Sequence, residues 1–126
     1  HFAQVYAVMR QRGVALVRDS RDEYIMKLME VVRHGRDDRF LDRLLMASIV
    51  ECRGAERFGL IADSITEPQL ASFYDNLRKS ETKHGHVFAD LALKYFSPEV
   101  VYARAAALGD HEAKVIEQLA VAPALH

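Results

Sequence analysis

The sequence predicts an all-α fold, an antiparallel bundle of amphipathic helices. Three observations carry this reading. Apolar residues recur at helical spacing through most of the chain, and no run alternates as a half-buried strand would. Gly13, Gly35 and Ser97-Pro98 punctuate the periodic stretches as helix stops and starts. Amphipathic helices joined by short loops cannot bury their stripes one by one, so they must pack on each other.

The elements follow in order. His1–Arg12 reads as the end of a helix, with Val5 and Val8 on one side and Gly13 as its C-terminal cap. Val14–Ser20 reads as a loop. Arg21–His34 forms a short amphipathic helix through Ile25, Leu28, Met29 and Val32, stopped by Gly35. A long helix spans about Asp37–Ala62, its inward stripe being Phe40 or Leu41, Leu44, Ser48, Glu51, Ala55, Phe58 and Ala62. Thr66 and Gln69 make a capping-box pattern with Pro68 in the first turn. The next helix runs to about Phe96 with Leu70, Tyr74, Leu77, Glu81, His84, Phe88, Leu91 and Tyr95 on one face. Ser97 and Pro98 supply the N-cap and first position of a last helix, reaching about Leu119 through Val101, Ala105, Leu108, Glu112 and Val115. Ala122–His126 is expected to fray.

Composition narrows the function classes. A chain of 126 residues, half apolar and 28% charged, suits one globular domain over residues 1–126. No apolar run reaches the ~20 residues of a membrane span. A single cysteine, Cys52, forms no internal disulfide, which suits a reducing, cytoplasmic compartment. A net charge of −1 excludes a strongly basic nucleic-acid module, though not a local patch. Residue 1 is histidine and no signal peptide follows, so the sequence is expected to start inside a longer chain, lacking a first helix.

Two core stripes are interrupted by groups that do not belong in an apolar interior. Glu51 falls among Leu44, Ser48, Ala55 and Phe58; Glu81 and His84 fall between Leu77 and Phe88. A buried carboxylate without a partner costs several kcal/mol, a large share of a small domain's stability of ~5–15 kcal/mol. A metal ion compensates it directly. Glu81 and His84, three apart, lie on one helical face, and Glu51 offers a carboxylate from the neighbouring helix. Carboxylate and imidazole donors without thiolate suit iron or manganese better than structural zinc. In ferritin-like bundles, one Glu from each of two helices joins a Glu-x-x-His pair from each of the other two. Glu51 matches one single Glu and Glu81-Thr82-Lys83-His84 one pair; their 30-residue separation leaves room for an antiparallel return. On this template His1 ends the other Glu-x-x-His, whose Glu lies upstream.

The chain resembles the tRNA hydroxylases that act on 2-methylthio-isopentenyl-adenosine next to the anticodon. The resemblance lies in His1-Phe2 with Met9-Arg10-Gln11-Arg12-Gly13-Val14, in Ile49-Val50-Glu51-Cys52-Arg53 leading to Glu56-Arg57-Phe58, and in Ser80-Glu81-Thr82-Lys83-His84. It continues more weakly through Ala71-Ser72-Phe73-Tyr74 and His111-Glu112-Ala113-Lys114. It implies a non-haem di-iron monooxygenase in which two iron ions use O2 to attack a C–H bond of the prenyl group, with His1, Glu51, Glu81 and His84 as ligands. It also implies tRNA as substrate.

The remaining candidates have plainer readings. Glu112 interrupts the last stripe but is expected at a helix edge in water, ahead of a role in orienting a ligand. His86 points away from His84. His34 is expected at a helix C-terminus, where a cation is mildly favourable. Cys52 is expected to be a small buried hydrophobe, and Phe58, Tyr74 and Phe88 core residues, with lining of a substrate channel as the alternative for each. Arg10, Arg12, Arg18 and Arg21 cluster around the first loop; residues 1–43 carry nine basic and seven acidic side chains, a mild bias that by itself reads as a solvated surface and that the resemblance turns toward RNA phosphate. No Gly-rich nucleotide turn is present, so a separate electron-donor protein is expected. Two rival readings stand beside the hydroxylase: a ferritin-like iron oxidase or store, which needs the same ligands without RNA, and a metal-free helical interaction module, in which Glu51 and His84 merely pair with neighbours.

Overall fold

The computed structural model describes residues 1–120, and the expectation for Ala122–His126 lies outside them. The described residues form five helices and no strand: α1 (Phe2–Gln11), α2 (Glu23–Met29), α3 (Arg36–Ser64), α4 (Pro68–Tyr95) and α5 (Pro98–Gln118). The three long helices fall within two residues of their predicted ends.

Helices α3 and α4 form the spine. Their cross-contacts run in opposite numbering, Ser48 Oγ donating to Gly85 O, Glu51 facing His84 and Phe58 facing Tyr74, so the two are antiparallel. Gly85 permits close approach there, since a Cβ would lie 2.7 Å from Cys52 Sγ and 3.4 Å from Ser48 O. Helix α5 returns alongside α3, joined at one end by Arg104 to Asp42 and further on by Glu112 to Arg53. Helix α2 lies against α5 through Tyr24 and Leu28. The apolar core sits between α2, α3, α4 and α5, built from Tyr24, Leu28, Leu41, Leu45, Met46, Ala92, Val101, Leu108 and Val115.

Several local expectations are corrected. Helix α2 spans Glu23–Met29 rather than Arg21–His34. Asp22 caps its start, accepting from the Tyr24 and Ile25 amides. Beyond Met29 the chain leaves the helix because the Arg33 amide donates to the Asp42 carboxylate rather than to a carbonyl four residues back. Gly35 therefore serves as N-cap of α3, not as stop for α2, and His34 sits in the exposed connection. The Thr66–Gln69 capping box does not form: Glu67 is the N-cap of α4, and its carboxylate pairs with Arg12. Leu41, not Phe40, faces the core; Phe40 packs at the surface against Tyr95 and Phe96.

Asp42 was invisible as a core residue, yet it is fully buried. It accepts from Arg33 and Arg104 guanidinium groups at 2.8–3.1 Å and from the Arg33 amide at 2.9 Å. Burial alone would raise its carboxyl, but these hydrogen bonds and the charges behind them hold it well below the usual carboxylate range. Arg104 also donates to Val31 O, so one carboxylate ties the α2–α3 connection to both long helices.

Candidate metal centre

The antiparallel spine decides what α3 and α4 bring together. Heptad-like spacing puts Glu51, Ala55 and Phe58 on the α3 face opposite His84, Glu81, Leu77 and Tyr74 of α4. Helix α1 crosses this face antiparallel to α4, with His1 beside Ser80 and Glu81 and Arg12 beside Glu67.

Glu81 is the hub. Its Oε1 lies 2.8 Å from His1 Nδ1 and its Oε2 lies 3.5 Å from His84 Nδ1. Glu51 Oε2 stands 3.6 Å from the same His84 nitrogen. The two imidazole rings are 5.4 Å apart, and donor atoms of His1, Glu81 and His84 all lie within 4.8 Å of one another. Every sequence-predicted ligand thus faces one small region, but at the edge of the bundle and not in its apolar interior as expected: His1 and His84 are exposed, and Glu51 and Glu81 are half-buried. Two atoms each ~2.1 Å from a cation stand about 3.0–3.4 Å apart at tetrahedral to octahedral angles. The separations of 2.8, 3.5 and 3.6 Å bracket that range. A hydrogen bond explains the His1–Glu81 distance, but 3.5–3.6 Å is too long for one. Two acidic groups converging on one nitrogen without bonding it fit a cation, and their oxygen and imidazole chemistry fits iron or manganese.

Two turns along, the Phe58 and Tyr74 rings meet at a tilt with centroids 6.0 Å apart and Phe73 meets Tyr74 edge-on at 5.3 Å, forming a half-buried aromatic wall. These rings, like Phe88, are only partly buried and not interior as expected. Cys52 is exposed, because it occupies the groove over Gly85 and not the interior of the bundle. His86 is exposed, on the next face round from His84.

Glu112 is a correction of substance. It is buried, 4% exposed, and not at a wet helix edge. Arg53 grips it with two hydrogen bonds of 2.7 and 2.8 Å, and the Tyr24 hydroxyl donates to it at 3.1 Å. Burial, then the Glu112 charge, pushes the Tyr24 hydroxyl above its ordinary range, while the hydrogen bond to Glu112 keeps Arg53 firmly protonated. Arg53 is two residues from Glu51 and so projects from the opposite side of α3. Glu112 anchors α5 there, away from the cluster of His1, Glu51, Glu81 and His84.

The arginines lie apart from the carboxylates. Arg10, Arg12, Arg18 and Arg21 are all exposed, and Arg12 is already paired with Glu67. Arg12 lies about 16 Å along α1 from His1 at 1.5 Å per residue. Sequence reasoning overlooked Ser80, whose Oγ lies 2.8 Å from His1 Nε2. Its only signal was its place beside Glu81.

Antiparallel helices that turn carboxylates and imidazoles toward one point are the mark of the ferritin-like class of helical bundle, and this is the fold of the chain. A solved structure described as Protein 43 with aldehyde deformylating oxygenase activity from Synechococcus superposes with a TM-score of 0.90 at 32% identity, covering 98% of this chain and 61% of that one. The family model described as tRNA-(MS[2]IO[6]A)-hydroxylase (MiaE) matches residues 1–126, and the chain belongs to that family. It is similar to two proteins named tRNA 2-(methylsulfanyl)-N(6)-isopentenyladenosine(37) hydroxylase. That of Salmonella typhimurium is 32% identical over 116 residues, 92% of this chain and 42% of the relative. That of Pseudomonas putida is 34% identical over 95 residues, 75% of this chain and 46% of the relative. The chain thus spans less than half the length of these curated relatives.

Proposed function

We propose that this chain carries the catalytic metal site of an O2-dependent tRNA hydroxylase acting on the prenyl group of 2-methylthio-isopentenyl-adenosine, in the cytoplasm. The observation that carries the reading is the convergence of Glu51, Glu81, His84 and His1 in a chain that matches this hydroxylase family along its whole length. Those four residues would hold non-haem iron, with Glu81 offering one oxygen toward each histidine. Two irons bound there supply the redox chemistry that uses O2 to hydroxylate an unactivated C–H bond.

The chain's own residues do the rest. Glu51 and Glu81 supply negative charge that offsets the cations and holds them between α3 and α4. The Phe58, Tyr74 and Phe73 wall suits the apolar prenyl tail and keeps water from that side. The modified adenine must be splayed from its loop to reach groups within a bundle. Arg10, Arg18 and Arg21 are exposed cations that suit phosphate contact while the base is held. Hydroxylation with O2 also needs external electrons, for which a separate donor protein is part of this proposal.

Deleting the gene and digesting bulk tRNA to nucleosides tests this by mass spectrometry. The hydroxylated nucleoside should vanish while its unhydroxylated precursor accumulates. Wild-type protein should restore it and the Glu81→Ala variant should not. Unchanged hydroxylated adenosine in the deletion strain overturns the proposal.

A further inference from the structure

His1 differs from His84 in how its ring is held. Its Nδ1 faces Glu81 at 2.8 Å and its Nε2 faces Ser80 Oγ at 2.8 Å. For His84, only Nδ1 is engaged among the described residues, by the two carboxylates. Ser80 and Glu81 are consecutive on α4, and consecutive helical side chains diverge by about 100°. They therefore reach the two edges of the His1 ring from one turn of backbone.

A neutral imidazole carries one N–H, and its other nitrogen is an acceptor. With the proton on Nδ1, that nitrogen donates to Glu81 and Nε2 accepts from the Ser80 hydroxyl. If Nδ1 is to bind a cation its lone pair must be free, and the proton belongs on Nε2. A carbonyl or an ammonium beside Nε2 would satisfy only one of these states. A hydroxyl satisfies both, because it rotates to donate or to accept. The exchange is proton-neutral for the ring, since Nδ1 loses one proton to water and Nε2 gains one.

We propose that Ser80 is a positioning residue that holds the His1 ring in one orientation through both tautomers, so that Nδ1 stays aimed at Glu81 and His84 with and without metal. Partners of this kind on ligand imidazoles are generally worth about 10- to 100-fold in metal affinity. The inference rests on the reading of the cluster as a metal centre, and the test separates the two.

The measurement is anaerobic equilibrium dialysis of Fe2+ against the wild-type protein, Ser80→Ala and Ser80→Thr. It is paired with long-range 1H–15N correlation spectra of the histidine rings, with and without Zn2+ as a diamagnetic probe. Wild type should bind Fe2+ stoichiometrically, and on adding Zn2+ the His1 proton should move from Nδ1 to Nε2. Ser80→Ala should weaken Fe2+ binding about 10- to 100-fold and raise by a similar factor the Zn2+ concentration at which the His1 proton moves to Nε2. Ser80→Thr, which keeps the hydroxyl, should restore both. The melting temperature in chelator should stay the same for all three, as Ser80 lies outside the core. Equal Fe2+ affinity in Ser80→Ala, or no tautomer change in wild type, overturns the role of Ser80 and leaves the metal centre standing. Failure of wild type to bind either ion removes the centre and this inference with it.

Discussion

The substitution Glu81→Gln removes one charge from the cluster and keeps its shape. The carboxylate oxygens of Glu51 and Glu81 lie 3.6 and 3.5 Å from one His84 nitrogen, so they are at most about 7 Å apart. At that distance two unit charges repel by about 2.4 kcal/mol at an effective dielectric of ~20 and about 0.6 kcal/mol in water. The side chains are 26% and 14% exposed, between those limits, which gives about 1–2 kcal/mol. The amide retains an oxygen that accepts from His1. In chelator at pH 8, Glu81→Gln should thus melt higher than wild type, by about 4–8 °C for a chain of this size. With Mn2+ or anaerobic Fe2+ at a hundred times its dissociation constant, wild type should gain about 2.7 kcal/mol, roughly 10 °C. The variant should gain far less, so the order of stability reverses on adding metal. Circular-dichroism melts with and without metal read both effects. A variant less stable than wild type in chelator that responds equally to metal would show that these carboxylates are not gathered for a cation.

Other outcomes follow from groups away from the centre. Asp42→Ala strips the partner from two guanidinium groups and should cost about 3–5 kcal/mol, read by urea unfolding. Because the folded-state Asp42 carboxyl is held below its unfolded value, its contribution is complete above about pH 4 and is lost as pH falls through the folded value. Acid unfolding should accordingly be less steep in Asp42→Asn. Gly85→Val forces a side chain into Cys52 Sγ and the Ser48 carbonyl, and should cost at least about 1–3 kcal/mol by the same measurement. Tyr24→Phe removes one donor to Glu112 but leaves both Arg53 bonds, so its cost should stay near 1 kcal/mol.

Much of this architecture is legible in the residues because the long helices follow one rule throughout. The stripes of α3, α4 and α5 repeat without a break, and Pro98 marks the start of α5 where the chain turns. Glu51, Glu81 and His84 stand out for the same reason: each is a charged or titratable group where the period demands an apolar one. Glu112 satisfies that criterion equally, yet its partners Arg53 and Tyr24 lie 59 and 88 residues away, so its burial is a tertiary fact. Asp42 is harder still. It sits among Asp37, Asp38, Arg39 and Arg43 and looks like part of a solvated face. That same carboxylate ends α2 early by taking the Arg33 amide, which no helical period announces. Ser80 is hidden because its hydroxyl matters only once His1, 79 residues earlier, is folded against it.

Helix α1 buries none of its residues, and Phe2 at its start is 74% exposed. It is fastened by polar clasps at its ends, His1 on Ser80 and Glu81, Arg12 on Glu67. On the proposed reading, one clasp is also a metal donor. Filling the centre and docking α1 are then two descriptions of a single equilibrium, and amide exchange along α1 would slow as cations occupy the cluster.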